Sequence, residues 1–238
     1  MDPVDASAID DLLRHGDIDV EGRMPYSSNA TFLVNLRHET SGATGRGIYK
    51  PLRGERPLWD FPAGLYRREV AARVLSDAMG LHVVPPTVVR DGPLGEGSLQ
   101  WFVDARFEEH YFTLFEARDD LHDQFRDIAV FDIVANNTDR KSGHCLIDDD
   151  DRVWAIDNGL CFSVDFKLRT VIWEFGGEPL GDERRERVRA IAQNPPPELA
   201  AYLDADELEA MVERATLLSS GGMFPIDSSG HRYPWPMV

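Results

Sequence analysis

The spacing of apolar residues predicts strands and two helices in the first half of the chain. Short runs with alternating or continuous apolar residues predict strands at 18–23, 31–36, 47–52, 87–90 and 99–103. Apolar residues recur at helical spacing over 65–79, where Gly80 supplies a stop, and a shorter helix at 6–15 is ended by Gly16. The segment 53–62, rich in Gly, Pro and aromatic residues, is predicted to be a loop.

The second half of the chain is predicted to be mainly helical. Helical patterns cover 121–134, 183–193 and 197–218, and consecutive prolines separate the last two. A polar loop at 136–144 precedes two short strands, 145–147 and 153–156, that flank an acidic turn. The consecutive Asp residues of this turn predict a solvated hairpin tip, because a calcium loop needs alternating ligand positions and a glycine.

Composition and charge narrow the possible classes of function. The 238 residues are 42% hydrophobic, which is enough for one large domain or two lobes that share a cleft. With 25 basic and 42 acidic residues, the formal net charge is −17, which disfavours nucleic-acid binding and stable membrane association. The acidic N-terminus and the lack of a long apolar run predict a cytoplasmic protein.

The basic residues are strongly biased towards Arg. Among the 25 basic residues only three are Lys, namely Lys50, Lys141 and Lys167. Lys differs from Arg in presenting a compact ammonium that makes a single-point contact. The bias therefore directs attention to Lys50 and Lys141, which lie near the other candidate residues.

Residues 133–162 carry the richest set of candidate chemistry. Asp139 lies in the polar loop, His144 follows in the same loop, and Asp157 begins an Asp-Asn-Gly sequence after the predicted hairpin. Phosphoryl transfer needs a carboxylate that orients the acceptor, metal ligands, and a cation near the phosphates. Asp139 suits the first role, Asp157 the second and Lys141 the third.

Each of these residues also has a simpler interpretation. Asp139 can cap a local turn, and Asp157 can begin a type I′ turn. In protein kinases, four residues separate the catalytic Asp from a metal-binding Asn. In this chain, four residues separate Asp139 from His144, so a His stands in the position of that Asn. His144 is therefore a candidate metal ligand or a structural hydrogen-bonding residue.

The region before residue 70 supplies the complementary parts of a nucleotide site. Lys50 ends the third predicted strand and Glu69 begins the next helix, an order in which kinase folds pair a strand Lys with a helix Glu. Arg73, four residues after Glu69, is an alternative local partner for that carboxylate. The first predicted turn contains hydroxyl and amide groups that could cover phosphates, from Ser27, Ser28 and Asn29.

Taken together, these segments resemble the phosphatidylinositol 3-/4-kinase-like family, and most closely its type II phosphatidylinositol 4-kinases and their bacterial relatives. The matching segments, in family order, are YKP (49–51), REVAA (68–72), GLHVVPPT (80–87), NNTDR (136–140) and AIDNGLCF (155–162). The resemblance implies an α+β fold: a two-lobed atypical kinase with an antiparallel sheet and one helix in the N-lobe and a shortened, mainly helical C-lobe. It implies a single domain over 1–238, with the N-lobe at about 17–103, the C-lobe at 104–222 and a tail at 223–238.

The same resemblance assigns roles to individual residues. It places ATP in the cleft, with Lys50 on the phosphates, Glu69 orienting Lys50, Asp139 as the catalytic aspartate and Asp157 on magnesium. The hinge that meets adenine would fall near 100–104, with contacts from Gln100, Phe102 and Val103. Because imidazole prefers softer metals than magnesium, His144 makes manganese a second candidate cofactor.

The expected function is transfer of the γ-phosphate of metal-ATP to a protein Ser/Thr or to the hydroxyl of a soluble small molecule. A membrane phosphoinositide is a weaker candidate, because the net charge is −17 and only 81 residues follow Asp157. His144 and the unusual phosphate turn motivate an alternative, a nucleotide-binding pseudokinase that acts as a signalling adaptor. A third hypothesis is a signalling substrate whose phosphothreonine, such as Thr40 or Thr44, is read by a partner.

Overall fold

A five-stranded antiparallel sheet forms the first layer of the protein. The computed structural model describes residues 6–25 and 29–238. The strand order is β1-β2-β3-β5-β4, in which every neighbouring pair is antiparallel. The strands are β1 (Asp17–Arg23), β2 (Phe32–Arg37), β3 (Thr44–Pro51), β4 (Thr87–Gly92) and β5 (Gly95–Trp101).

One face of this sheet packs against the first helix, α1 (Ala6–His15). Leu12 and Leu13 of α1 are buried in a small cluster with Tyr49 and Leu99 of the sheet. Since side chains alternate between the two faces of a strand, the neighbours of Tyr49 on β3 point to the opposite face. Lys50 therefore projects into the space between the sheet and the rest of the protein.

The rest of the chain forms a second, larger core. Its helices are α2 (Leu65–Ala78), α3 (Tyr111–Ala117), α4 (His122–Ala135), α5 (Asp182–Gln193) and α6 (Ala205–Gly221), and its hairpin consists of β6 (Cys145–Ile147) and β7 (Val153–Ala155). The apolar residues of α4 lie at the centre of this core. The buried residues Ala71, Ala72 and Leu75 of α2 belong to the same cluster. Helix α2 also packs against β4 and β5, so it lies between the sheet and the helical layer formed by α3, α4, α5 and α6.

The structure confirms the α+β class and most predicted elements, with shifted boundaries. β5 begins at Gly95, four residues before the prediction, because Gly92 and Gly95 pair directly across a tight turn. The predicted helix 197–218 is two elements, a 3-10 turn at Pro197–Ala201 and α6. Asp204 starts α6 by accepting the Glu207 N–H through Oδ1 at 2.9 Å, while Glu207 Oε2 accepts the Asp204 N–H at 3.0 Å.

Helix α3 was not expected from the sequence. Its sequence, YFTLFEA, is rich in aromatic residues that favour strands as much as helices. The Thr113 hydroxyl accepts the His110 N–H at 3.1 Å and so caps the first turn. Burial of Tyr111 and Leu114 in the larger core then stabilises a helix that is too short to form alone.

None of the helices within the described residues is long and apolar enough to cross a membrane. The lobe boundaries given above remain a prediction.

We predict that Gly97→Ala destabilises the sheet. A Cβ at Gly97 would lie 2.3 Å from the Lys50 carbonyl oxygen and 2.6 Å from Pro51 Cα, so the β3–β5 pair would have to separate locally. The expected cost is about 1–3 kcal/mol in the free energy of unfolding, measured by urea denaturation. Gly22→Ala in β1 is the matched control, because no atom lies within 4 Å of its added Cβ. Equal stability of the two variants would contradict the prediction.

Candidate active site

A cleft of about 590 Å³ lies between the inner face of the sheet and the helical layer. Its walls contain every described residue that the sequence assigned to catalysis, to the nucleotide or to the metal: Asn29, Lys50, Glu69, Gln100, Phe102, Val103, Asp139, Lys141, His144 and Asp157. Ser27 and Ser28 lie outside the described residues. The predicted candidates, which are spread over almost 130 positions of the sequence, therefore converge on one cleft.

Lys50 joins the two walls of the cleft by ion pairs. Its Nζ contacts Glu69 Oε1 on α2, and lies 2.8 Å from Asp157 Oδ1. Burial lowers the tendency of Lys50 to hold a proton, but the charges of Asp157 and Glu69 outweigh it and raise the pKa above its ordinary value. Lys50 is therefore a fixed cation at the centre of the cleft.

Glu69 is held from two sides. Its side chain is buried, and its second oxygen, Oε2, accepts the backbone N–H of Asn158 at 3.0 Å. Gly159 allows this approach, because a Cβ there would lie 3.3 Å from Glu69 Oε1. Arg73, the alternative local partner, pairs with Asp77 at 2.6 Å.

Asp157 occupies a strained backbone position. Its φ of 58° lies in the left-handed region, which a residue other than Gly adopts at an energetic cost. The turn directs Oδ1 to Lys50 and leaves Oδ2 3.5 Å from His144 Nε2. The positive charge of Lys50 holds the pKa of Asp157 well below its ordinary value, so this carboxylate is ionised.

The contacts of His144 assign its tautomer. Nδ1 lies 3.0 Å from the Asp139 carbonyl oxygen, which can only accept, and 3.5 Å from the Lys141 backbone nitrogen. The shorter contact assigns the hydrogen to Nδ1 and leaves a lone pair on Nε2. Burial lowers the pKa of His144 to about 4, so the ring is neutral at pH 7.

These two side chains could supply two donors to a metal ion. The neutral His144 Nε2 and the ionised Asp157 Oδ2 face each other at 3.5 Å, and both are donor types that divalent metals accept. Among the described residues, no three His, Cys, Asp or Glu side chains are grouped as a complete metal site. A metal held here would need further ligands from water or a bound phosphate, which fits an ion that arrives with a nucleotide.

Asp139 and Lys141 lie on the helical wall of the cleft. Lys141 Nζ is 3.2 Å from Asp139 Oδ2, and the Asp139 N–H donates to Asn137 Oδ1 at 2.9 Å. Burial raises the pKa of Asp139 above its ordinary value, while the charge of Lys141 opposes that rise. The turn is thus capped by the Asn137 side chain, while the Asp139 carboxylate pairs with Lys141 on the cleft wall.

The polar loop is anchored by a buried ion pair that sequence reasoning missed. Arg140 is fully buried, and its guanidinium donates to both carboxylate oxygens of Asp132 on α4 at 3.0–3.2 Å. It also donates to the Ile156 carbonyl and to Asn158 Oδ1, both at 2.6 Å. Arg140 therefore connects the loop that carries Asp139 to the segment that carries Asp157.

One sequence signal could have revealed this pair. Asp132 interrupts the apolar run IAVFDIVA over 128–135 and would be buried with its neighbours in a helix. A buried carboxylate requires a cation or several hydrogen-bond donors, so a nearby Arg was to be expected. Two Args, Arg126 and Arg140, lie within eight residues, and the sequence gives no means of choosing between them.

The residues assigned to the adenine end line the opposite part of the cleft. The Phe102 N–H donates to the Arg46 carbonyl at 3.1 Å, and the Gln100 amide donates to Thr87 Oγ1 at 2.9 Å. Asn29 Oδ1 accepts the Arg56 backbone N–H at 2.9 Å, which joins the β1–β2 turn to the loop after β3.

Thr40, proposed as a phosphothreonine, is exposed in the β2–β3 turn, and Thr44 is exposed at the start of β3.

A sequence model of the family described as phosphatidylinositol 3- and 4-kinase matches residues 66–216, which is more than half of the chain. The chain belongs to this family. The resemblance that the sequence motifs indicated is therefore confirmed, and membership implies in general terms the use of a nucleotide, a divalent metal and a phosphate acceptor.

Further relatives agree with the family assignment. Protein Rv2133c of Mycobacterium tuberculosis (strain ATCC 25618 / H37Rv) is 37% identical over 264 residues, covering 94% of this chain and 94% of its own. The structure of hydra Fam20 with sugar matches at a TM-score of 0.60 and 15% identity, covering 92% of this chain and 89% of that one. The Helicobacter pylori proinflammatory kinase CtkA matches at a TM-score of 0.52 and 11% identity, covering 89% and 94%. The two structures show the shared fold, that of an atypical kinase.

For this member of the family we predict that Arg140→Met strongly destabilises the protein. The change leaves the Asp132 carboxylate buried without its cation, which costs about 3–5 kcal/mol in the free energy of unfolding. Replacing both residues, with Asp132→Leu and Arg140→Met, removes the uncompensated charge and is expected to recover part of that loss.

The measurement is urea denaturation of the single variant, the double variant and a control. Arg118→Met is the control, because Arg118 pairs with Asp151 where both side chains are partly exposed, and little change is expected. A double variant no more stable than Arg140→Met alone would contradict the view that the unpaired charge causes the loss.

Proposed function

We propose that the protein binds ATP with a divalent metal in the cleft and transfers the γ-phosphate to a hydroxyl group of a protein or of a soluble small molecule. One observation carries the proposal: Lys50, whose side chain is partly buried, bridges Glu69 of α2 and Asp157, and Asp139 lines the same cleft. This arrangement supplies a cation for phosphates, a carboxylate for a metal and a carboxylate for an acceptor hydroxyl.

Asp139 is proposed to act on the acceptor. As the acceptor oxygen forms its bond to the γ-phosphorus, the bond from that phosphorus to the bridging oxygen breaks, and ADP leaves with the electron pair. The hydroxyl proton moves to Asp139, whose pKa burial raises towards the range useful for a proton acceptor. Lys141, 3.2 Å from Asp139 Oδ2, is placed to stabilise negative charge on the transferring phosphoryl group.

The metal is proposed to be held by Asp157 and His144. When bound, it would neutralise phosphate charge and polarise the transferring group. Lys50 is proposed to contact the phosphates, and the buried Glu69 keeps its ammonium in the cleft. Gln100, Phe102 and Val103 are proposed to line the adenine subsite, and the turn that contains Ser27, Ser28 and Asn29 is proposed to cover the phosphates.

The acceptor is proposed to be soluble because of the charge of the protein. A net charge of −17 repels anionic headgroups, and no described helix could span a bilayer. The hydra Fam20 structure contains a sugar, so carbohydrate hydroxyls belong among the acceptors to be tested. CtkA is named as a kinase, which supports phosphoryl transfer as the class of reaction.

The test separates nucleotide binding from phosphoryl transfer. In calorimetric titrations with Mg-ATP, Lys50→Ala removes a charge-assisted phosphate contact of about 1.5–3 kcal/mol and is expected to weaken binding by roughly 10- to 150-fold. Lys167→Ala is the matched control, since Lys167 pairs with Asp60 at 3.6 Å and is not part of the cleft wall. Asp139→Asn is expected to bind ATP normally and to lose transfer.

Transfer is measured with γ-labelled ATP against proteins, soluble polyols and sugars, and phosphoinositide vesicles. Labelling of a protein or a soluble hydroxyl by the wild type, lost in Asp139→Asn, supports the proposal. Labelling of the vesicles alone would reverse the choice of acceptor. ATP binding without transfer or hydrolysis supports the adaptor pseudokinase, and no ATP binding contradicts both functions.

We further predict that His144 shifts the metal preference towards manganese. A neutral nitrogen donor beside a carboxylate suits Mn²⁺ better than Mg²⁺, which favours all-oxygen octahedral sites. His144→Asn replaces the nitrogen donor by an amide oxygen and is expected to lower the ratio of ATP affinity in Mn²⁺ to that in Mg²⁺. His82→Asn, at an exposed position paired with Asp77, is the control. Equal ratios in wild type and His144→Asn would exclude His144 as a ligand.

A further inference from the structure

Residues 232–237, which we call the C-terminal strap, lie against the loop that carries Asp139 and Lys141. The carbonyl oxygen of Met237 accepts the Ser142 N–H at 2.8 Å. Ser142 directly follows Lys141 and begins the 3-10 turn Ser142–His144. The strap therefore reaches the loop one residue away from the lysine that pairs with Asp139.

The other end of the strap is fixed at Arg232. Its carbonyl oxygen accepts the Thr170 N–H and the Trp173 indole N–H, both at 3.1 Å, and its own N–H donates to Asp227 Oδ2 at 3.0 Å. Its guanidinium lies over the ring of Phe166, 4.9 Å from the centroid, where a cation is attracted to the face of the ring. Both the main chain and the side chain of Arg232 thus hold the strap in place.

The two anchors lie on either side of Lys141 along the loop. Thr170, which binds the first anchor, forms a parallel β-bridge with Arg140, and the Arg140 carbonyl oxygen accepts the Val171 N–H at 3.1 Å. Ser142, which binds the second anchor, follows Lys141. Since the buried Arg140 side chain holds the loop from the core, the strap holds it from the outside.

The strap is attached chiefly by hydrogen bonds and little by apolar burial. Pro234 is buried, but Trp235 is 87% exposed and Met237 is also exposed. Pro234 and Pro236 restrict the main chain, which lowers the entropy lost when the strap is ordered. Contacts of this kind can be broken without opening the larger core.

We infer that the C-terminal strap is a positioning element of the acceptor end of the cleft, in which the Met237 carbonyl and the Ser142 N–H keep Lys141 beside Asp139. The inference rests on the proposed function for its catalytic meaning, and deepens it by identifying what fixes Lys141. Lys50 and Asp157, proposed to hold the phosphates and the metal, have no contact with the strap. Breaking the strap contact should therefore impair transfer and spare ATP binding.

Ser142→Pro breaks this contact selectively. It removes the N–H, and the ring occupies the place of the hydrogen, so Met237 must move away. The turn itself tolerates proline, because Ser142 is its first residue and Lys141 is extended, with φ −84° and ψ 163°. Ser142→Ala is the matched control: it keeps the N–H and removes a buried hydroxyl that has no hydrogen-bond partner among the described residues.

The first experiment measures hydrogen exchange of the Ser142 and His144 amides, without nucleotide, in the full chain. The double variant Arg232→Gly, Pro234→Gly loosens the strap and leaves its carbonyl groups in place. Exchange of both amides is expected to be about three- to tenfold faster than in the wild type. Trp235→Ala, at an exposed position of the strap, is the control and should exchange as the wild type does. Unchanged exchange in the double variant would overturn the inference.

The second experiment measures transfer from γ-labelled ATP. Ser142→Pro is expected to lower kcat by about 10- to 100-fold, with the ATP dissociation constant unchanged, whereas Ser142→Ala keeps the wild-type kcat. In a Lys141→Met background, Ser142→Pro should cause no further loss, because the strap acts through Lys141. An equal loss in both backgrounds would show a merely structural role and overturn the inference. The Arg232→Gly, Pro234→Gly variant takes the place of Ser142→Pro in this cycle if Ser142→Pro does not fold.

The two experiments separate this inference from the proposed function. If the wild type transfers no phosphate to any acceptor, the proposed function fails, and hydrogen exchange alone decides whether the strap holds the loop. If the wild type transfers phosphate and Ser142→Pro does so equally well, the inference fails and the proposed function stands.

Discussion

The candidate site depends on the buried ion pair between Asp132 and Arg140. Two charges without solvent are favourable only if their remaining hydrogen-bonding groups are satisfied, and here they are. Asp132 also accepts from the Asn137 amide at 3.0 Å, and Arg140 donates to the Ile156 carbonyl and to the Asn158 amide oxygen at 2.6 Å. Because these partners belong to α4, the polar loop and the segment after β7, the pair fixes the relative positions of all three.

From this pair a continuous set of contacts reaches the sheet. Arg140 holds the Asn158 side chain, the Asn158 N–H donates to Glu69 at 3.0 Å, and Glu69 holds the Lys50 ammonium. Lys50 belongs to the sheet, and Glu69 lies on α2, which also contacts the sheet through Tyr66 and Glu96 of β5. The network therefore runs from α4 through the polar loop and α2 to the sheet.

The sequence predicts this site where its chemistry is local and fails where partners are distant. Asp139, His144 and Asp157 lie within 19 residues and follow a spacing that phosphoryl-transfer sites use, and Lys50 and Glu69 keep a strand-then-helix order, so all five could be named beforehand. Arg140 could not be told from Arg126 as the partner of Asp132, and Arg68 could not be recognised because its partner, Glu207, lies 139 residues away. The strands and long helices were predictable from periodicity, whereas α3 forms because tertiary burial overrides its strand-like composition.

The charges that line the cleft bear on how so acidic a protein would accept the nucleotide of the proposed function. Asp139, Glu69 and Asp157 would repel phosphates if they stood alone, but Lys141 pairs with the first and Lys50 with the other two. These ion pairs therefore use two of the three lysines of a sequence that has 22 Args. A compact ammonium makes single-point contacts, so it can exchange one carboxylate oxygen for a phosphate oxygen without giving up the fixed fork geometry in which a guanidinium pairs. Lys at these positions thus fits the proposed function, in which the ion pairs would be partly exchanged when a metal-bound phosphate enters.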